Sequence, residues 1–558
     1  MELEIEGTGA NVTCKEAAGP TPNDCKVTVT FDPVPELEVK FVRVRYTTTS
    51  GNTVTPFEAD ITDLQSLENR LLSIYPVASI DRETGFLDMG DGVPQAADLN
   101  ARLENMRLLD LCFSILGCDR LYYGAVDQTG SLAFGTGTTG GLANDIPGTV
   151  SSGVIRDGTD YGRNRHAHEI AHTMGISHSV TATTNSDGNK IGVCNEVAAS
   201  TANTYPFFET VGGRRRPTIG PLTEGDEKIV FGWDSLRNSV IDPERTFSLM
   251  GYCGNERWVS SENYHEIKSY IESNYRRRIL QGGESTNVTV VRAIIDLDSM
   301  EINFLPSSSV VLPIALPPPG SSSFELVGST SLGGEIFRLG FKPITFSQDL
   351  EKEGDVSIDI RSSYAQVFLE TPPSGILDAV WIEQNRVMIG DPLPVSPNAP
   401  AVTVVFPNGG ESLSGDSTTI VWTANDPDPL DSLFFSVLFS PDGGTTWNTL
   451  ITDYSETSLE IPLNALGETS TGLIRVQASD GFNTADDVSD GTFISPNNPP
   501  VVQIVSPVTG DFFVSVQPIT FESTSSDTED GSLQGSQLMW YSDKDGFIGQ
   551  GRQLTLLA

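Results

Sequence analysis

The spacing of hydrophobic and polar residues changes along the chain. The early part shows both the helical and the strand period, and the later part shows only the strand period. Val39–Thr47 largely alternates apolar and polar residues, as a half-buried strand does. Thr62–Gln65 then reads as a capping box that begins a helix, and Pro76 ends this helix. The apolar residues at helical spacing on its predicted buried face are Leu64, Leu67, Leu71 and Ile74. Mixed periods of this kind predict an α/β region.

Two further amphipathic helices are predicted in the same region. The residues on their apolar faces are Leu99, Leu103, Met106 and Leu109 in the first helix, and Tyr264, Ile267 and Ile271 in the second. Arg120–Val126 is a predicted strand between them, and glycine-rich turns separate the short β-like pieces that follow it.

Past Gly282-Gly283 the helical period disappears, and strand-like runs separated by proline- and glycine-rich turns follow. We therefore predict a multidomain chain with one α/β (α+β) domain followed by all-β domains of the Ig-like sandwich type. The predicted units are an N-terminal β segment at 1–38, the α/β domain at 39–282, a β-rich domain at 283–395, an Ig-like sandwich at 398–496 and a PKD- or Ig-like sandwich at 499–558. The last unit has too few strands to close a sandwich, so we expect it to be cut short.

The charge balance of the chain excludes some partners. The formal net charge is −40, and nucleic acid is not an expected partner because phosphate binding needs a basic surface. We attribute the acidic composition to solubility. No apolar run approaches the ~18 residues of a membrane span, so no membrane span is expected.

The six cysteines suggest an oxidising compartment. Proximity along the chain pairs Cys14 with Cys25, Cys112 with Cys118, and Cys194 with Cys253. No Cys-x-x-Cys motif is present, which argues against a thiolate metal site. We therefore expect a secreted protein whose signal peptide is not in this chain.

Most of the histidines, which are candidate metal ligands, lie close together in the sequence. Of the five histidines, four lie within residues 166–178. His168-Glu169-Ile170-Ala171-His172 is an H-E-x-x-H motif, and residues four apart share one face of a helix. Both imidazoles can therefore reach one Zn²⁺ ion, and Glu169 can act as the general base beside it.

Gly175 and His178 extend the motif to H-E-x-x-H-x-x-G-x-x-H. Glycine tolerates a positive φ, so the chain can break out of the helix and return His178 as a third ligand. The opposite helix face is apolar and can be buried while the histidines face a cleft. The residues of this apolar stripe are Ala167, Ile170, Ala171 and Met174.

On these residues the chain resembles the metzincin clan of zinc endopeptidases, in particular secreted bacterial-type members fused to Ig-like repeats. The resemblance covers about residues 39–280. It implies that Met250, within FSLMGYC at 247–253, lies in a turn beneath the zinc. It also offers Tyr252 as a metal-approaching or oxyanion-stabilising residue, with a buried aromatic as the alternative. Ser179 is matrixin-like whereas Tyr252 is astacin-like, so no subfamily is assigned.

The resemblance further implies that an edge strand binds an extended protein or peptide substrate. Gly141, Leu142 and Ala143, within GTTGGLANDIPG, are the candidate substrate-binding residues, and a glycine-rich surface loop is the alternative.

Two other functions stay open. A gluzincin-type protease would take Glu196 as its third ligand from a second helix, leaving Gly175, His178 and Met250 without a role. A surface adhesin would use the zinc only structurally, and its β modules would attach to a cell surface or matrix. Ca²⁺ is a further candidate cofactor; the acidic residues that could bind it are Asp527, Asp530, Asp543 and Asp545.

Overall fold

The computed structural model describes most of the chain. The described ranges are 36–155, 160–179, 205–274, 285–349 and 362–557, with gaps that include 223–229, 235–238 and 252–256, together with the strand pairs 2–3, 27–28, 183–184, 190–191 and 196–197. Four predicted cysteine positions, 14, 25, 194 and 253, lie outside the described residues, and so does Tyr252.

Four helices lie in the first half of the described chain. They are α1 (Ile61–Ile74), α2 (Ala96–Leu109), α3 (Asp160–Thr173) and α4 (Ser261–Asn274). All four fall where the sequence pattern predicts a helix. None of the described helices is long and apolar enough to cross a membrane.

The strands up to residue 258 are mostly short. They are β1 (Glu2–Leu3), β2 (Val27–Thr28), β3 (Leu37–Ser50), β4 (Thr53–Glu58), β5 (Ile80–Asp91), β6 (Leu121–Val126), β7 (Leu132–Phe134), β8 (Gly137–Thr139), β9 (Gly141–Asn144), β10 (Val150–Val154), β11 (Thr183–Thr184), β12 (Lys190–Ile191), β13 (Glu196–Val197), β14 (Phe208–Val211), β15 (Arg214–Pro217), β16 (Gly232–Asp234), β17 (Ser239–Ile241), β18 (Phe247–Ser248) and β19 (Arg257–Trp258).

The regular structure of the remaining described chain is β-strand, apart from short 3-10 helices at Leu463–Ala465 and Gly535–Gln537. Its strands are β20 (Thr286–Asp296), β21 (Ile302–Leu312), β22 (Phe324–Ser329), β23 (Glu335–Phe341), β24 (Ile344–Asp349), β25 (Ser362–Glu370), β26 (Ala379–Gln384), β27 (Val387–Pro394), β28 (Ala401–Phe406), β29 (Ser417–Asn425), β30 (Phe434–Ser440), β31 (Asn448–Tyr454), β32 (Ser458–Pro462), β33 (Thr469–Ser479), β34 (Thr484–Val488), β35 (Phe493–Ser495), β36 (Val501–Ser506), β37 (Pro518–Ser526), β38 (Met539–Ser542), β39 (Gly546–Gln550) and β40 (Gln553–Leu557).

Helix α1 begins two residues earlier than the predicted capping box. Asp60 is the N-cap, its side chain accepts from the Asp63 backbone N–H, and the Asp63 carboxylate accepts from the Asp60 N–H. The predicted box at Thr62–Gln65 is therefore wrong. The Thr62 hydroxyl instead donates to the Asp60 carboxylate. A carboxylate at each end of the reciprocal pair satisfies two N–H groups that the first helical turn leaves unpaired.

The largest sheet has 10 strands in the order β21-β20-β25-β24-β9-β10-β6-β3-β4, and β5 pairs with β3 off this path. Its centre is parallel: β3 pairs with β5 and β6, and β6 pairs with β10. Strand β9 runs antiparallel to β10. Helices α1, α3 and α4 share one buried cluster, and α2 belongs to another. The sheet continues across the predicted division at residues 282 and 283.

Two layers of strands enclose each of the next two cores. Residues of β20 and β25 pack with residues of β22 and β26 in one hydrophobic cluster. Further along, the sheets β28-β29-β32 and β31-β30-β33-β34 enclose Trp422, Phe435 and Phe493, which is a β-sandwich. The described chain is thus mainly β, and the prediction of β-sandwich structure in its second half is confirmed.

A buried ion pair joins three parts of the molecule. The Arg292 guanidinium on β20 contacts both carboxylate oxygens of Asp453 on β31, at 2.5 and 3.2 Å, and neither side chain is exposed. Asn105 on α2 donates to the same carboxylate at 3.5 Å. The Cys112–Cys118 disulfide, which the sequence predicts, closes the loop just after α2.

Candidate metal centre

Helix α3 is buried on its apolar side, as its sequence stripe predicts. Ala167, Ile170 and Ala171 are fully excluded from solvent, and they share one buried cluster with residues of α1 and α4. The Tyr75 hydroxyl at the end of α1 donates to the Ala167 carbonyl. These contacts fix the rotation of α3, so the opposite side with both motif histidines faces the interior of the site.

The structure brings the three predicted ligands together. His172 Nε2 lies 3.0 Å from His168 Nε2 and 3.0 Å from His178 Nε2. His178 reaches this point because α3 ends at Thr173 and Gly175 takes a φ of +92°, which reverses the chain. No Cβ has to be accommodated at that left-handed position.

Main-chain carbonyls set the tautomer of two of these imidazoles. His168 Nδ1 lies 2.8 Å from the Leu249 carbonyl oxygen, and His172 Nδ1 lies 2.7 Å from the Ile176 carbonyl oxygen. A carbonyl only accepts, so each Nδ1 carries the proton and donates it. Each Nε2 then keeps a lone pair for a metal ion.

The electrostatics of the site favour neutral imidazole. Burial lowers the pKa of His178 well below its usual value, and a positive charge on His172 or His168 would lower it further. Three neutral imidazoles with converging lone pairs form a donor set for a borderline-soft divalent cation.

Met250 lies in a tight turn that is tied to the third ligand. Its side chain is fully buried in the cluster that also holds Ala171 of the motif helix. The Gly251 N–H donates to the Ser248 carbonyl at 3.0 Å, which closes the turn. The Ser179 N–H donates to the Met250 carbonyl at 2.8 Å, so the residue after His178 is fixed to this turn.

Glu169 lies against the backbone of β9. Its side chain is fully buried. A Cβ added at Gly141 would lie 2.4 Å from Glu169 Oε1, so only glycine allows this approach without displacing the carboxylate. The predicted substrate-binding strand and the predicted base are therefore direct neighbours.

The predicted strand Gly141–Ala143 forms, but it is not an edge. On one side β9 pairs with β10, and on the other side it pairs with β24, Phe346 with Asn144 through Asp349 with Gly141. Gly141–Ala143 is therefore neither the free edge that we expected nor the surface loop that was the alternative. The reason is β24, which lies about 200 residues further along the chain. It makes the backbone hydrogen bonds to β9 that we expected a substrate to make.

Glu196 is on the short strand β13, where its backbone pairs with Arg215, whereas the gluzincin alternative places it on a helix. His166 is buried with its Nε2 3.0 Å from the Leu67 carbonyl oxygen, and burial lowers its pKa to about 3. His265 is exposed on α4.

Three aspartates that the sequence pattern does not bring together also converge in the structure. One carboxylate oxygen from each of Asp426, Asp431 and Asp480 lies within 4.8 Å of the others. Asp480 also accepts hydrogen bonds from Ser396 and Asn483. The carboxylate of Asp527, one of the residues predicted to bind Ca²⁺, accepts from the backbone of Glu529 and Asp530 in a turn. Neither arrangement assigns an ion.

Comparison with known proteins adds no family. No protein-family model and no curated protein matches the chain. The chicken CNTN1 FN1–FN3 domains match at 14% identity over 50% of this chain and 83% of that one, with a TM-score of 0.14. Native E. coli α-2-macroglobulin matches at 10% identity over 50% and 20%, and its porcine-elastase-activated form at 9% over 49% and 27%, each with a TM-score of 0.13. Scores this low carry no argument about fold or function.

The donor set itself fits zinc. Tetrahedral Zn²⁺ with Zn–N bonds of about 2.0–2.1 Å holds its ligand nitrogens about 3.3 Å apart. The 3.0 Å separations from His172 Nε2 need only a small outward movement to reach that spacing. Among the described His, Cys, Asp and Glu residues, no fourth one joins this group. Three protein ligands and one open position are typical of a catalytic zinc site.

Proposed function

We propose that the protein is a secreted, zinc-dependent endopeptidase of the metzincin type that hydrolyses peptide bonds of extracellular proteins. The observation that carries the proposal is the convergence of His168, His172 and His178 beside Glu169. The Cys112–Cys118 disulfide supports an oxidising compartment. In this proposal Met250 packs under the centre, and the β modules hold the enzyme near a cell surface or matrix.

When bound, zinc supplies Lewis acidity, which polarises a carbonyl and makes a water molecule easier to deprotonate. The protein supplies the rest. The three imidazoles would hold the ion through Nε2, and the carbonyls of Leu249 and Ile176 keep the rings of His168 and His172 oriented. Glu169 accepts the proton of the attacking water and then donates a proton to the leaving amine. Water adds directly to the scissile carbonyl, so no acyl-enzyme forms.

The substitution Glu169→Gln tests this assignment. We expect the variant to bind one equivalent of zinc as the wild type does, because the imidazoles are unchanged, and to lose cleavage of casein by at least about 10²-fold. Glu244→Gln, at an exposed position, is the matched control and should keep full activity. Activity of Glu169→Gln equal to that of the control refutes the proposed role.

The buried centre also suits the second candidate, an adhesin with a structural zinc. His168, His172 and Glu169 are all buried, and β24 covers β9. A closed structural site needs a fourth protein ligand. Zymography on casein and gelatin, with and without 1,10-phenanthroline, distinguishes the two functions. Zinc-loaded protein that cleaves neither substrate under any condition favours the adhesin.

A further inference from the structure

Strand β24 lies where an extended substrate would bind. It runs antiparallel to β9 with four residue pairs, which end with Asp349 opposite Gly141. Gly141 is the residue whose backbone touches the Glu169 side chain. The end of β24 therefore reaches the position next to the predicted general base.

A strand has only two edges for backbone hydrogen bonds, and both edges of β9 are in use. One pairs with β10 and the other with β24. A peptide that adds to β9 by main-chain hydrogen bonds must use the edge that β24 occupies. Peptide binding at this edge and the β24 pairing exclude each other.

The attachment of β24 differs between its two ends. At its beginning, Phe346 is buried in the cluster beneath the sheet, and Ile344 and Thr345 pair with β25. The Asp145 carboxylate accepts from the Thr345 N–H at 2.9 Å, and the Asp145 N–H donates to the Thr345 carbonyl at 2.7 Å. The far end pairs only with β9 among the described residues. The described contacts that hold β24 to elements other than β9 therefore lie at its beginning.

We propose that Ile344–Asp349 is a built-in competitor of substrate, an autoinhibitory strap that must leave β9 before a peptide can bind. This inference rests on the proposed endopeptidase function. The strap is part of the same chain, so its effective concentration at β9 is on the order of millimolar. Its effect is that of a competitive inhibitor: it raises KM for peptide substrates and leaves kcat unchanged.

The test weakens the anchor of the strap and looks for a gain of activity. Phe346→Ala removes the buried ring, and we expect KM for a fluorogenic peptide to fall by about tenfold or more with kcat unchanged. Thr345→Val removes an exposed hydroxyl that donates to Asp145, and it should lower KM in the same direction by about two- to fivefold. Phe439→Ala, in the core of the sandwich, is the matched control and should leave KM unchanged.

A binding measurement separates this inference from the proposed function. A fluorescein-labelled peptide with the sequence of residues 344–349 (ITFSQD) should bind Phe346→Ala at least about tenfold more tightly than wild type, measured by anisotropy. This readout needs no catalysis. Equal peptide affinity for both proteins, or a KM in Phe346→Ala and Thr345→Val no lower than in wild type, overturns the strap. Tighter peptide binding without cleavage by any variant supports the strap and refutes the endopeptidase.

Discussion

Replacing Gly141 with alanine should disable the proposed base without removing the metal. The added Cβ would lie 2.4 Å from Glu169 Oε1 and 2.7 Å from both Cδ and Cγ. Comfortable contact between such atoms begins at about 3.5 Å. The carboxylate must therefore move by about 1 Å. All three clashing atoms belong to Glu169, so the imidazoles are not disturbed.

The kinetic cost follows from this displacement. A misplacement of about 1 Å in a reacting group can cost about 10²-fold in rate, or about 2.7 kcal/mol of transition-state stabilisation. We expect Gly141→Ala to lose this factor in kcat on a fluorogenic peptide and to keep one equivalent of zinc by metal analysis. The matched control is Gly467→Ala, where an added Cβ meets nothing within 4 Å. A kcat within twofold of wild type, or loss of the zinc, would contradict the reasoning.

Two further predictions concern buried charges. Asp453→Ala leaves Arg292 buried without its carboxylate partner, so it should lower the free energy of unfolding by about 3–5 kcal/mol in urea titrations. The control is Asp486→Ala, which breaks the more exposed Arg475–Asp486 pair and should lower the free energy of unfolding by less than about 1 kcal/mol. Burial raises the pKa of Glu104, although Arg107 and a hydrogen bond from Asn144 partly offset this. The folded protein therefore binds this proton more tightly than the unfolded chain, and stability falls as the pH rises from about 4.5 through the folded pKa. Glu104→Gln should flatten that fall in thermal melts at stepped pH; an unchanged slope would exclude Glu104 as its source.

The candidate centre was accessible from the sequence because its geometry is local. A helix places His168 and His172 on one face, and a single glycine with a positive φ returns His178 to them. All three ligands lie within eleven consecutive residues, 168–178. The same locality made the four helices and the Cys112–Cys118 pair predictable.

Long-range pairing is what the sequence pattern could not reveal. The sequence marks Gly141–Ala143 and the region after residue 283 as strand-like, but it does not say which strands pair when about 200 residues separate them. The acidic group of Asp426, Asp431 and Asp480 and the Arg292–Asp453 pair likewise join distant segments. The N-cap of α1 was displaced for a different reason, because several neighbouring polar side chains could have capped the helix and only the fold selects Asp60.

The hydrogen bonds that orient the imidazoles have a genetic consequence. Their acceptors are the carbonyls of residues 249 and 176, and the turn is fixed to Ser179 through the carbonyl of residue 250. Every amino acid carries a carbonyl, so no missense change at these three positions can delete an acceptor. Only insertions, deletions or backbone-distorting changes can. Substitutions at residues 176, 249 and 250 should therefore keep these hydrogen bonds far more readily than an inserted or deleted residue beside them.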